Sequence, residues 1–199
     1  MQDRETDTFW SIMTGEAIGG ELKGTKLVEL PVGEKRQWKE WFKKHPDTLV
    51  LSVNGNEDRP PAYESYFNSM EGFRGARAQD TRLKTKAPVF AFHFAGQMYA
   101  VAHEKIEGGK IFNIDNTKLF LFRSVGSSIF QSTTAYQITV GNFIKINDQW
   151  VHTDSGCIFD SDNAVFPDGN LPCPKRFQGF DTFWYNWSLS NPATIILKD

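Results

Sequence analysis

Two cysteines in 199 residues are too few for a disulfide framework, so Cys157 and Cys173 read first as a pair of unpaired thiols. Bonded to each other, they would close a loop whose entropy is worth about 3 kcal/mol. Long apolar runs are missing as well. Nothing approaches the roughly 20 residues that span a bilayer, and Met1-Gln2-Asp3-Arg4-Glu5 has neither the basic start nor the apolar stretch of a signal peptide. The chain as given therefore reads as soluble. Its compartment stays open, an extracytoplasmic one requiring a leader that this sequence does not show. An excess of either charge is also absent: 22 Lys and Arg against 24 Asp and Glu leave a formal charge of -2, too little to draw nucleic acid or an anionic membrane. Catalytic signatures are equally scarce. The glycines at 15, 19, 20 and 24 lack the Gly-Lys-Ser/Thr ending of a phosphate cradle, and no Gly-x-Ser-x-Gly elbow occurs.

Large aromatic side chains are plentiful, led by 17 Phe and 6 Trp. Most must be core, and a surplus could line a groove. The pattern that organises the chain occurs twice. Trp38-Lys39-Glu40-Trp41 is followed by His45-Pro46-Asp47-Thr48-Leu49-Val50-Leu51, and Trp184-Tyr185-Asn186-Trp187 by Asn191-Pro192-Ala193-Thr194-Ile195-Ile196-Leu197. Tryptophans three apart share a helix face, the proline stops the helix, and the branched run suits a strand. The spacing predicts two caps of helix, stop and strand, both seated on one β-scaffold. Residues 147 to 180 follow the order of the opening segment more loosely.

Elsewhere the signals are mostly β. Short pieces between glycines fill 5 to 31. Glu34 to Lys44 is an amphipathic helix with a lysine-rich outer face, and Leu49 to Val53 is an expected strand ended by Asn54-Gly55. Residues 54 to 86 are polar and basic but carry Tyr63, Tyr66, Phe67 and Phe73, so they read as a linker packed onto something. Val89 to Phe94 and Met98 to His103 alternate around Ala95-Gly96-Gln97, the clearest hairpin in the chain. Ile111 to Ile114, Lys118 to Phe122, Ile129 to Thr134, Tyr136 to Val140 and Phe143 to Ile146 continue as short β-like runs. Asp181 is placed to cap the last helix. The fold class expected is α+β, mostly β: an antiparallel sheet as a sandwich or partial barrel, a few short helices, and an internal repeat of a hairpin, helix and strand unit. The expected division is 1–53 as a partial repeat unit, 54–86 as the packed linker and 87–199 as the main β-rich domain.

Trp10-Ser11-x-x-Thr14-Gly15-x-Ala17-Ile18-x-Gly20-x-Leu22-x-Gly24, the Trp-x-x-Trp helix, His45-Pro46-Asp47-Thr48 and Gly179-Phe180-Asp181-Thr182-Phe183-Trp184-x-x-Trp187 together resemble the bacterial family catalogued as domain of unknown function 3179. Asp80-x-Arg82-Leu83-x-x-Lys86 resembles its domain start. The resemblance implies a fold family and no activity. Two departures stand out. Where members carry a Cys-Pro-x-Cys/Thr-Gly segment, Arg123 to Phe130 keeps a glycine and no cysteine. The chain also opens just before the Trp-x-x-x-Thr-Gly segment, so its first unit reads as a remnant that must bury its aromatic face on the second unit or across a homodimer.

Candidate chemistry is sparse. His93 and His103 on adjoining strands could approach each other, with His152, Cys157 or Glu104 as further metal ligands, but structural histidines are the default and no metal is expected. Asp160, Asp162 and Asp168 look like a calcium loop, except that Ala164 and the misplaced glycine break the spacing. No cofactor and no catalytic set is expected. Two functional readings result. One is a non-catalytic module binding a small molecule, a polymer or another chain in an aromatic-rich cleft between the repeated helices and the sheet, through Trp10, Thr14, His93, His103, Arg123 and Ser127. The other is a thiol- or metal-dependent enzyme centred on His93, His103, Arg123 and Cys157, which requires those side chains to converge.

Overall fold

The computed structural model describes residues 1–12, 14–28, 33–52, 63–166 and 172–198. It separates into two compact units, Met1–Gly33 and Glu34–Asp199, whereas the sequence pattern drew its boundaries at 53 and 86. In the first unit, β1 (Phe9–Trp10) pairs antiparallel with β2 (Ala17–Gly19). Trp10 is buried there, its indole N–H donating to the Asp3 carboxylate at 2.8 Å. Together with the amides of Thr6 and Glu5, that bond holds the Asp3 carboxyl down at about 2.

The second unit is built on a hairpin of β3 (Pro88–Phe94) and β4 (Gln97–Ala102). Ala95 and Gly96 both adopt positive φ, the two-residue turn whose twist matches the flanking strands. β12 (Phe180–Phe183) joins β3 antiparallel and β13 (Ile195–Ile196) joins β4 in parallel, completing one four-stranded sheet. A second sheet has the order β11 (Lys175–Arg176), β7 (Thr134–Ile138), β6 (Thr117–Phe122) and β5 (Lys110–Ile114). The third contains β10 (Ile158–Phe159), β9 (Gln149–His152) and β8 (Phe143–Ile146).

Side-chain alternation stacks these sheets. Phe90, Phe92 and Val101 from the first sheet meet Phe112, Leu119 and Leu121 from the second in one core. The other face of the second sheet presents Phe120, Phe122, Tyr136 and Ile138 to Phe143 and Phe159 of the third. β6 is thus covered on both faces, which is why Leu119 to Phe122 reads as an unbroken apolar run. The fold is mostly β with open, chiefly antiparallel sheets and three short α-helices among the described residues. None of these helices is long and apolar enough to cross a membrane.

Three runs depart from the sequence pattern. Ile129 to Ser132 form a loop, not a strand: the Gln131 carbonyl, with that of Ser128 just before the run, turns to accept from the Arg123 side chain. Leu49 to Leu51 form no strand either, and Val53 to Gly55 lie outside the described residues. Phe180 to Phe183 form a strand, so Asp181 does not cap the following helix; its N-cap is Phe183, with no side-chain bond. Cys157 and Cys173 are joined, with their Cα atoms 5.7 Å apart.

The last helix, α3 (Trp184–Ser190), buries Trp184 and Trp187 completely. Trp184 donates its indole N–H to the Asp80 carbonyl at 2.8 Å and Trp187 to the Thr194 hydroxyl at 2.8 Å. α1 (Trp38–Lys44) behaves differently. It buries none of its residues, and Trp38 remains 52% exposed. Among the described residues one indole pair is therefore buried on the scaffold and the other is not. The connector from Tyr63 to Lys86 is packed: the Tyr66 and Tyr185 hydroxyls lie 3.2 Å apart, and Lys86 Nζ donates to the Ser69 carbonyl at 2.9 Å beneath the Tyr66 ring.

Candidate functional site

The sequence-predicted residues do not all meet. Trp10 and Thr14 belong to the first unit, where the Thr14 hydroxyl accepts the Glu16 amide in a turn. His93 is exposed and packs its ring 5.3 Å from that of Trp187. His103, by contrast, is buried with Nε2 2.9 Å from the Asp181 carboxylate. The two histidines thus serve different neighbours. Cys157 is taken by the disulfide, and His152 is held between the Val140 carbonyl and the Ser155 hydroxyl. Among the described residues no three of His, Cys, Asp and Glu gather as metal ligands. Asp160 closes a local turn with the Asp162 and Asn163 amides, while Asp168 lies outside the described residues.

What the fold does bring together is His103, Arg123, Thr133 and Asp181. His103 opens a single helical turn, His103–Lys105, at the end of β4. Arg123 follows β6, Thr133 precedes β7, and Asp181 is carried by β12. The Asp181 carboxylate accepts the Thr133 amide at 2.7 Å and the Thr133 hydroxyl, and lies 3.4 Å from the Arg123 guanidinium. His103 Nε2 approaches the carboxylate to 2.9 Å, an ion-pair distance, and neither ring nitrogen has another polar partner. Burial alone would raise the Asp181 carboxyl; His103 and Thr133 outweigh it and leave the group below the ordinary carboxylate range. Burial lowers the Arg123 guanidinium, against the pull of Asp181 and Glu107.

Arg123 ties this network to a neighbouring loop. Arg123 donates to the Gln131 carbonyl at 2.6 Å and the Ser128 carbonyl at 2.7 Å, fixing the loop that carries Ile129 and Phe130. Phe130 packs edge-on to Phe67. Ser127, in the same loop, has a buried hydroxyl with no hydrogen-bond partner. Beside the network lies a cavity of about 620 Å³ lined by Phe67, Leu83, Lys86, His103, Ile129 and Phe183. Arg82, Lys84 and Glu104 add charge to its lining. A neighbouring hollow of about 1010 Å³ shares Arg82, Leu83 and Glu104 and extends along Thr194 to Lys198. Cationic groups exceed anionic ones across this surface, although Lys86 is committed to carbonyls and Arg82 is paired with Asp80.

Asp181 was read from the sequence as a helix cap and not as a member of a site, and Thr133 went unnoticed. A signal existed for Asp181: in a strand reading of Phe180-Asp181-Thr182-Phe183 it shares a face with Phe183, and a carboxylate on a buried face must be paired. Thr133 gave no signal, being one of several hydroxyls in a polar run.

No curated protein matches the chain, and no solved structure does. A family model matches residues 1–194, so this chain, with its buried carboxylate network beneath an apolar cavity, belongs to the family described as Protein of unknown function (DUF3179).

Proposed function

We propose that the protein is a ligand-binding module whose cavity takes a small molecule with an apolar body and an anionic group. The carrying observation is the 620 Å³ cavity walled by Phe67, Leu83, Ile129 and Phe183, with Lys84 and Arg82 in its lining. Size and composition both suit a ligand site, which is typically concave, mainly apolar and supplied with a few placed polar groups. The buried network beneath it keeps His103 and the Ile129 loop in place, so the site exists before ligand arrives. Pre-formed sites avoid the ordering cost of binding.

A second reading has one observation in its favour. A carboxylate beside a histidine whose ring nitrogens are otherwise unbonded is the arrangement that orients a general base. It would make Asp181 the orienting group and His103 the base, in place of a thiol at Cys157. The bridge between Cys157 and Cys173 supports an oxidising, extracytoplasmic setting for either reading.

The test uses 1-anilinonaphthalene-8-sulfonate, which has a fused aromatic body and a sulfonate. Saturable binding at one site per chain is expected. Ile129→Trp fills the cavity and should weaken it at least tenfold, while Lys84→Glu should weaken it about threefold to tenfold and make it less salt-dependent. Unchanged affinity in Ile129→Trp, with the variant folded, overturns the assignment.

A further inference from the structure

The two tryptophan segments differ in sequence at most positions yet share a local geometry down to single hydrogen bonds. α1 and α3 are each seven residues long and begin on the first tryptophan. Their C-caps, His45 and Asn191, have φ and ψ of -132° and 72°, and of -133° and 67°. In both, the cap amide donates to the carbonyl of the second tryptophan, at 2.8 Å from His45 and 3.0 Å from Asn191. In both, the indole N–H of that tryptophan donates across the proline turn to the threonine hydroxyl: Trp41 to Thr48 at 2.9 Å, Trp187 to Thr194 at 2.8 Å.

Their surroundings differ. The second module is seated. Ile195 and Ile196 pair in parallel with Tyr99 and Ala100 at the edge of the β3–β4 hairpin, and the Leu197 amide donates to the Ala100 carbonyl at 2.9 Å. The first module is fully built but unseated. Trp38 and Phe42 stack 5.4 Å apart at 52% and 46% exposure, and Leu49, Val50 and Leu51 are 94%, 63% and 92% exposed. Its approach is fixed: the Lys35 amide donates to the Ser132 hydroxyl, the Ser132 amide donates to the Lys35 carbonyl, and Arg36 donates to the Asn163 carbonyl. An aromatic face beside an exposed aliphatic run of this kind normally marks an interaction site.

We infer that Trp38–Leu51 is a docking module for a partner protein, and that its target is the open edge of an antiparallel β-hairpin with an aromatic and branched aliphatic face. The indoles would cover the hairpin's face, and Leu49 to Leu51 would add a parallel strand to its edge, as the Trp184–Leu197 module does on β3–β4. Phe42 stands where the seated module has the buried Ser188, so the target must leave room for a ring there. Lys39, Lys43 and Lys44 flank the face and favour carboxylates on the target's rim. This inference is independent of the cavity.

The probe is a fluorescein-labelled peptide of residues 88–102, closed at its open end by a D-Pro-Gly link and titrated by anisotropy into the full chain, whose own β3–β4 edge is occupied. Wild type should bind saturably, and Phe42→Ser, which copies the seated module, at least as tightly. Trp41→Ala should bind at least tenfold more weakly with an unchanged Tm, since α1 buries none of its residues. Binding by neither wild type nor Phe42→Ser, or binding equal in Trp41→Ala, overturns the inference. So does sedimentation showing self-association that Trp38→Ala abolishes, because the occupant would then be a second copy.

Discussion

Asp181→Asn is nearly isosteric, so it separates the charge of the carboxylate from its shape. The side chains of Asp181, His103 and Arg123 are 7%, 7% and 2% exposed, which removes most solvent screening. Two effects compete in magnitude. The bonds from Thr133 are worth about 1 kcal/mol each when a neutral partner remains. Leaving the Arg123 charge buried without its counter-charge costs about 3–5 kcal/mol, the range for breaking a buried pair from one side. The second effect dominates, so Asp181→Asn should cost about 3–5 kcal/mol and Thr133→Val, which removes one charge-assisted bond from the carboxylate, about 1.5–3 kcal/mol. Equilibrium urea unfolding followed by tryptophan fluorescence reads both, since Trp184 and Trp187 are fully buried. The sign with pH is fixed by the lowered Asp181 carboxyl. Its stabilisation is complete above the unfolded carboxylate value near 4 and is lost as pH falls through the lower folded value. Asp181→Asn should flatten that acid limb. A loss below about 1 kcal/mol, or one no larger than that of Thr133→Val, would refute the claim that charge compensation holds the network.

Two further predictions concern the frame around the site. Cys157→Ser with Cys173→Ser opens a loop of sequence separation 16 and should lower stability by about 3 kcal/mol on the loop-entropy estimate, read by the shift in urea midpoint between wild type and variant. Gly179→Ala should destabilise by about 1–3 kcal/mol, because its Cβ would lie 2.3 Å from the Phe90 ring and 2.9 Å from the Ala91 carbonyl, and the backbone oxygen cannot turn aside. Calorimetry showing an unchanged Tm for Gly179→Ala would mean that β12 does not pack as closely on β3 as described.

Local features were legible in the sequence wherever the residues themselves impose geometry. The hairpin followed from alternation around Ala95-Gly96, and the Trp-x-x-Trp helices with their proline stops followed from spacing alone. The bond from the second indole to the threonine across each proline turn was not read from the sequence, although the spacing is the same in both segments. Ile129 to Ser132 misled for the opposite reason. Its branched and polar residues suit a strand, but a buried guanidinium eight residues from Gln131 claims that residue's carbonyl together with the Ser128 carbonyl. His103 and Arg123 could be singled out as polar residues at the ends of apolar strands. That they share one carboxylate depends on β12 lying beside β3, a pairing between residues about ninety apart that no local pattern encodes.

By itself the sequence determined the two tryptophan helices with their proline stops, the β-rich class and the family, because each rests on short-range sterics and side-chain periodicity. The tertiary structure alone decided that one tryptophan module is seated and the other exposed, and that Asp181 is buried against Arg123 instead of capping a helix. The physical reason is the same in both cases. Burial and charge pairing are properties of what the chain packs against, and identical local geometry leaves that open.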